Sequence, residues 1–202
     1  MLPRRGAAVL GSPISHSLSP VLHAAAYDAL GLDDWGYAAV ECDEAALPST
    51  LQRLDAEGLA GVSLTMPLKR AVMPLLARSD RLAGDVGAAN TVLFGGVPGE
   101  WWGGNTDVPG MVAALRSAGV TTAQRACVLG GGATAMSAIA ALRDLGAREP
   151  VVVVRRPEAV GALMGAAGRL GVQPAVRPWP DAASAVAEGP WTRSVTYLAS
   201  AL

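Results

Sequence analysis

The sequence has no sustained run of basic residues, no apolar stretch long enough to cross a bilayer, and only two cysteines and two histidines among its 202 residues. Each shortage excludes something. Sixteen Lys and Arg against seventeen Asp and Glu give a formal net charge of -1, which leaves no electrostatic footprint for nucleic acid or an anionic membrane surface, so a small-molecule partner is expected. The apolar run near the N-terminus, residues 7–10, is too brief for a signal-peptide core or a membrane span, and a cytoplasmic location is expected. Cys42 and Cys127 lie in strand-like segments, so buried reduced thiols are expected rather than a disulfide. His16 falls in a loop and His23 on a helix, neither with a cysteine or second histidine at ligand spacing, so no metal site is expected. No internal repeat or low-complexity tract is visible.

What is present is apolar material for a core: 51% of the chain is hydrophobic, enough for one large or two small domains. Strands at 7–10, 37–41 and 61–65 alternate with helices at 20–30, 45–57 and 67–77, a βαβαβ rhythm. Segments 90–94 and 101–102 flank the turn Gly95-Gly-Val-Pro-Gly99 and read as a hairpin. After residue 105 come a helix at 108–118, a strand at 126–129, a glycine turn, a helix at 135–145 and a strand at 151–154. Beyond Arg156 the reading is a helix to 170, a short strand at 172–176 and a weak helix at 182–188. The expected fold is α/β: an open α/β domain over 1–105, then a dinucleotide-binding, Rossmann-like domain over 106–202.

Five motifs, and an arginine pair after the last of them, carry candidate chemistry. In Gly11-Ser-Pro-Ile-Ser-His-Ser17-Leu-Ser19-Pro20, Ser19 reads as the cap of a helix opened by proline; that leaves Ser17 unexplained, and hydroxyls beside free helical N–H groups also make a carboxylate site. In Ser63-Leu-Thr65-Met-Pro67-Leu-Lys69 a strand ends in threonine and a proline opens a helix, which places Thr65 and Lys69 at the carboxyl edge of the sheet, where ligands of open α/β folds bind. A cation so early in a helix opposes the helix dipole, and either proton transfer or an ordinary solvated lysine accounts for it. Asn90, in Gly87-Ala-Ala-Asn90-Thr91, and Asp107, in Gly104-Asn-Thr-Asp107, serve equally as a turn residue and a helix cap or as groups that fix substrate hydroxyls. Finally, Gly130-Gly131-Gly132-Ala133-Thr-Ala135 follows a strand and precedes a helix, matching G-x-G-x-x-A for a dinucleotide pyrophosphate. Where an acidic residue would hold a ribose 2′-hydroxyl, the chain has Val154-Arg155-Arg156, which favours a 2′-phosphate and hence NADP over NAD.

Taken in order, these motifs over roughly residues 6–160 resemble the shikimate dehydrogenase family. The resemblance implies reversible NADP-linked oxidation of shikimate to 3-dehydroshikimate, in a monomer or homodimer. It assigns the substrate carboxylate to Ser17 and Ser19, the hydroxyls to Thr65, Asn90 and Asp107, and the catalytic pair to Lys69 with Asp107. It assigns the cofactor to Gly130, Gly131, Gly132, Ala133, Arg155 and Arg156. A quinate or aminoshikimate dehydrogenase, or a non-catalytic relative that binds a ligand or partner, stands as the alternative. Ser63 and Val154 stand where the family often has asparagine, and Ala89 where it often has valine. The family continues further than this chain, with a strand ending in a Ser-Thr-x-Pro-like segment and a terminal helical region bearing a substrate-binding glutamine. Neither is found here, so the second domain is expected to be C-terminally truncated and incomplete.

Overall fold

The computed structural model describes residues 5–182 and 195–198. They fall into two compact units, one comprising the chain to Ala83 together with Ala88–Asn105, the other Gly84–Gly87 and the chain from Thr106 onward.

The first unit runs β1 (Arg5–Gly11), α1 (Ser19–Leu30), β2 (Trp35–Glu41), α2 (Leu47–Ala56), β3 (Gly61–Leu64), α3 (Leu68–Ala71), β4 (Arg78–Ser79), α4 (Arg81–Val86), β5 (Thr91–Phe94) and β6 (Trp101–Gly104). Its sheet is mixed, in the order β2-β1-β3-β5-β6-β4. β1 lies between β2 and β3, parallel to both, while β5 pairs antiparallel with β3 and with β6. Side chains alternate between the faces of a strand, so the register decides which residues share a face. Ala8, Leu10, Val62, Leu64 and Val92 all point to one side, where Leu47, Leu51 and Leu54 of α2 and Leu68 complete the core. Those three leucines follow the i, i+4, i+7 spacing that puts them on one helical stripe. Val9, Gly11, Tyr37, Glu41 and Ser63 point to the other side, the side of the candidate site.

Two details depart from the sequence expectation. The helix expected over 67–77 is only α3 followed by a 3-10 turn, Met73–Leu75; Pro74 has no N–H to donate and restricts the residue before it. The polar stretch after it forms β4 and α4, neither of which has a readable hydrophobic period. Asp80 accepts the Ala83 N–H at 2.6 Å through Oδ1 and so starts α4.

The second unit runs α5 (Asp107–Ser117), β7 (Ala126–Leu129), α6 (Ala133–Asp144), β8 (Val151–Val154), α7 (Gly161–Leu170), β9 (Ala175–Pro178) and β10 (Val195–Leu198). All four strands are parallel, in the order β10-β7-β8-β9. Parallel strands are covered on both faces and so read as continuous apolar runs, which is why β7 and β8 were legible to the residue. The strand expected at 172–176 instead runs Ala175–Pro178, because Gly171 closes α7 in the left-handed conformation and the chain needs three residues to reach the sheet. β10 had no counterpart in the sequence reading. The weak helix expected over 182–188 lies, after Ala182, outside the described residues.

Among the described residues no helix is long and apolar enough to cross a membrane, and no group of three or more His, Cys, Asp or Glu is arranged to hold a metal ion. Cys42 and Cys127 are both buried free thiols, and burial raises both thiol pKa values.

Candidate active site

The carboxyl ends of β1, β2 and β3 are stitched together by backbone. Thr65 N–H donates to the Leu10 carbonyl at 2.9 Å, Ser12 N–H donates to the Met66 carbonyl at 3.0 Å, and Cys42 N–H donates to the Gly11 carbonyl at 2.9 Å. The approach is so close that a Cβ on Gly11 would run into Thr65 Cγ2 and stand 2.9 Å from the Met66 carbonyl oxygen. Gly11 therefore owes its lack of a side chain to Thr65, which is seated over it.

From Gly11 the chain enters the serine loop, and Glu41, at the end of β2, holds that loop in place. Its Oε2 accepts the Ile14 N–H at 2.9 Å. The Ser12 hydroxyl is the larger of the two bonds that lower the Glu41 pKa, the Ile14 N–H the other. Ser17 N–H donates to the Ile14 carbonyl at 3.0 Å. The structure corrects the capping expectation: Ser19 is the first helical residue, Leu18 occupies the cap position without a side-chain bond, and it is Ser17 Oγ that accepts the Ser19 N–H, at 3.3 Å. Both serines are half-buried at the start of a twelve-residue helix, where N–H groups and hydroxyls face an anion together.

Lys69 is the second residue of α3 and half-buried. A short chain of backbone bonds ties it to its neighbours. Leu68 N–H donates to the Thr65 carbonyl at 2.8 Å, and Ala89 N–H donates to the Lys69 carbonyl at 2.8 Å. Asn90 bridges two strands: its carbonyl accepts the Leu64 N–H at 2.8 Å and its N–H donates to the Gly104 carbonyl at 3.0 Å. Its side-chain Oδ1 accepts the Thr91 hydroxyl at 3.1 Å, which orients the amide. Beneath, Asp80 Oδ2 accepts the Asn105 N–H at 3.1 Å, and the buried Asn105 amide donates to the Ala88 carbonyl at 2.9 Å. Thr65, Lys69 and Asn90 thus hang from one continuous backbone network in the first unit.

Glu41, Asp80 and Asn105 are the supports that sequence reasoning missed. Only Asp80 left a signal, an aspartate three residues ahead of Ala83 at a helix start. Asp107 belongs to the second unit and is the first residue of α5, with Thr106 rather than Asp107 at the cap position. The expected cap is thus corrected, and a carboxylate in the first turn still suits the helix dipole.

In the second unit the glycine turn connects β7 to α6. Gly130 has φ 116°, a conformation that excludes ordinary side chains, and its N–H donates to the Val153 carbonyl at 2.8 Å, fastening the turn to β8. A Cβ on Gly131 would stand 3.2 Å from Val154 Cγ1, so Val154 packs over the turn. Gly132 takes the extended conformation at the cap position of α6 without a side-chain bond, and Ala133 opens the helix. Arg155 and Arg156 follow β8 directly, both exposed. Just past the end of the parallel strand beside the turn, two guanidinium groups suit a phosphate.

The chain is similar to proteins of one family. The family described as the shikimate dehydrogenase substrate binding domain matches residues 9–92. Over 139 residues the chain is 42% identical to the shikimate dehydrogenase (NADP(+)) of Thermus thermophilus, covering 69% of this chain and 51% of that protein. Over 151 residues it is 40% identical to the enzyme of the same name from Synechocystis, covering 74% and 51%. The chain therefore spans about half the length of these curated relatives. Among solved structures, Mycobacterium tuberculosis shikimate dehydrogenase matches with a TM-score of 0.80 and 38% identity, covering 97% of this chain and 72% of that one. A Thermus thermophilus shikimate 5-dehydrogenase in complex with NADP(H) and shikimate matches with a TM-score of 0.72 and 36% identity, covering 86% and 62%. The ordered motifs, the two-unit α/β architecture and these matches agree, and the chain belongs to the shikimate dehydrogenase family.

Proposed function

We propose that this chain carries the machinery of an NADP-dependent shikimate dehydrogenase, interconverting shikimate and 3-dehydroshikimate in the cytoplasm. The observation that carries the reading is the seating of Thr65 on Gly11, which supports a hydroxy-acid site built from the serine loop and the Thr65–Lys69 turn. In this reading Ser17 and Ser19 take the substrate carboxylate at the start of α1, and Thr65, Asn90 and Asp107 fix the ring hydroxyls. Lys69 assists transfer of the proton on the reacting hydroxyl, and Asp107 orients that hydroxyl. The residues of the glycine turn fit a dinucleotide: a side chain on Gly131 would crowd Val154, and the turn leads into the free N–H groups of α6. Gly130, Gly131, Gly132 and Ala133 would hold the pyrophosphate, and Arg155 with Arg156 the 2′-phosphate. NADP, when bound, supplies the hydride acceptor for the oxidation.

The test is a calorimetric titration of the purified chain with shikimate, with quinate as comparator and Ser17→Ala as control. Shikimate should bind in preference to quinate, and the variant should bind it more weakly. Preference for quinate, or equal binding by Ser17→Ala, would overturn the substrate assignment.

A further inference from the structure

The chain passes from one unit to the other three times, after Ala83, after Gly87 and after Asn105. On the first-unit side the crossings are marked by Ala83, Ala88 and Asn105, and one pair of side chains takes hold of all three. Asp80 Oδ1 accepts the Ala83 N–H at 2.6 Å, and its Oδ2 accepts the Asn105 N–H at 3.1 Å. The Asn105 side-chain amide donates in turn to the Ala88 carbonyl at 2.9 Å. Ala88 N–H closes the ring on the Ala83 carbonyl at 3.2 Å. Gly104 permits the approach, since a Cβ there would stand 3.1 Å from Asp80 Oδ2.

Starting α4 requires only Asp80 Oδ1. The second carboxylate oxygen and the Asn105 amide are surplus to that cap, and what they reach is the two remaining crossings. Asn105 is 2% exposed and, with Ser137, one of two buried polar residues among those described. An amide taken out of water costs free energy unless it is paired, so its burial here is tied to the bond it makes. The ring also borders the candidate site. Ala89, next after Ala88, holds the Lys69 carbonyl through its N–H at 2.8 Å, and Asn90 N–H donates to the Gly104 carbonyl at 3.0 Å. Asp107 follows Asn105 by two residues.

We propose that Asp80 and Asn105 are positioning residues that make the three crossings a single joint, so that shikimate held by the first unit and NADP held by the second reach one reacting geometry. This rests on the reading of the chain as a shikimate dehydrogenase. Three crossings hinged separately would let the segments that hold Lys69, Asn90 and Asp107 shift against one another. Pinned at one point they turn together, and a ligand bound in one unit is felt in the other.

The test uses the full 202-residue chain as wild type, Asn105→Ala and Asp80→Asn. Each is titrated with NADP, with shikimate, and with shikimate at saturating NADP, and kcat and Tm are measured alongside. Asp80→Asn is the milder variant: its amide oxygen can still accept the Ala83 N–H, while its amide nitrogen would face the Asn105 N–H, donor against donor. In wild type NADP should tighten shikimate roughly fivefold or more. In both variants that factor should fall toward one and kcat should drop by about tenfold or more. NADP affinity measured alone should hold, and shikimate affinity measured alone should stay within about threefold. Should Asn105→Ala fail to fold, Asp80→Asn decides alone. Absence of coupling in a wild type that binds both ligands, wild-type coupling and kcat in Asp80→Asn, or a loss of NADP affinity in step with Tm would overturn the proposal. A wild-type chain that binds neither shikimate nor NADP would instead fell the functional reading, and this inference with it.

Discussion

Replacing Gly11 by alanine adds one methyl group at the carboxyl end of β1, against the residues that follow β3. The new Cβ runs into Thr65 Cγ2, stands 2.9 Å from the Met66 carbonyl oxygen and 3.3 Å from Ile14 Cδ1. Thr65 can rotate away, but the carbonyl is backbone and held by the Ser12 N–H at 3.0 Å. Overpacking of a closed site costs about 1–3 kcal/mol, and in a unit of roughly one hundred residues each kcal/mol moves Tm by about 4–8 °C. The first unit should therefore melt several degrees lower, and shikimate affinity should fall with it because Thr65 is displaced. Thr65→Ser in the same chain removes the methyl that is struck and keeps the hydroxyl, so it should restore part of both losses. Gly110 is the control: it lies within α5 with nothing within 4 Å of an added Cβ, and Gly110→Ala should stabilise by about 0.5–1 kcal/mol. Calorimetric unfolding and shikimate titration of the four proteins read the result. Wild-type Tm and affinity in Gly11→Ala would refute the argument that Thr65 is seated on this glycine.

Most of the architecture could be read from sequence because parallel strands and their helices leave strong patterns. Val151–Val154 and Ala126–Leu129 are unbroken apolar runs between turn signals, and the structure has them at those residues. β4 is two exposed polar residues and α4 is six residues long, so neither builds up a period to detect. The same division runs through the site. Motifs contiguous in sequence, such as Ser63 to Lys69, were visible. Contacts that depend on register were not: Glu41 reaching Ile14 and Gly11 meeting Thr65 each join residues distant in the chain. Ser17 and Ser19 show how local chemistry misleads by a small margin. Either serine reads as a helix cap, but Leu18 takes the cap position and Ser17 Oγ accepts the Ser19 N–H instead.

Arg155→Ala with Arg156→Ala should weaken NADP by about 10- to 100-fold, the exposure of both side chains holding the loss toward the low end of charged hydrogen bonds, and should spare NAD; equal losses for both coenzymes, measured by titration, would assign the arginines to the fold. Asp107→Asn, which keeps the shape of the side chain, should lower kcat more than it raises KM, and steady-state kinetics reads the split. The Glu41 pKa is lowered below its ordinary value of 4.5 in the folded chain, so the stability it contributes is complete above that value and lost as pH falls through the lower folded value. Unfolding of wild type and Glu41→Gln compared at about pH 7 and about pH 3.5 should show the difference in Tm shrinking at the acid end, and a difference independent of pH would contradict it.

The account is tested most directly by following NADPH absorbance when the purified chain is mixed with shikimate and NADP, with Lys69→Ala measured alongside. Absorbance should rise with shikimate, rise much less with quinate or with NAD in place of NADP, and slow by a factor of about 100 or more in kcat in a folded Lys69→Ala protein. A Lys69→Ala protein with wild-type kcat, or a chain that binds shikimate and NADP yet forms no NADPH, would contradict the claim that these residues carry the reaction.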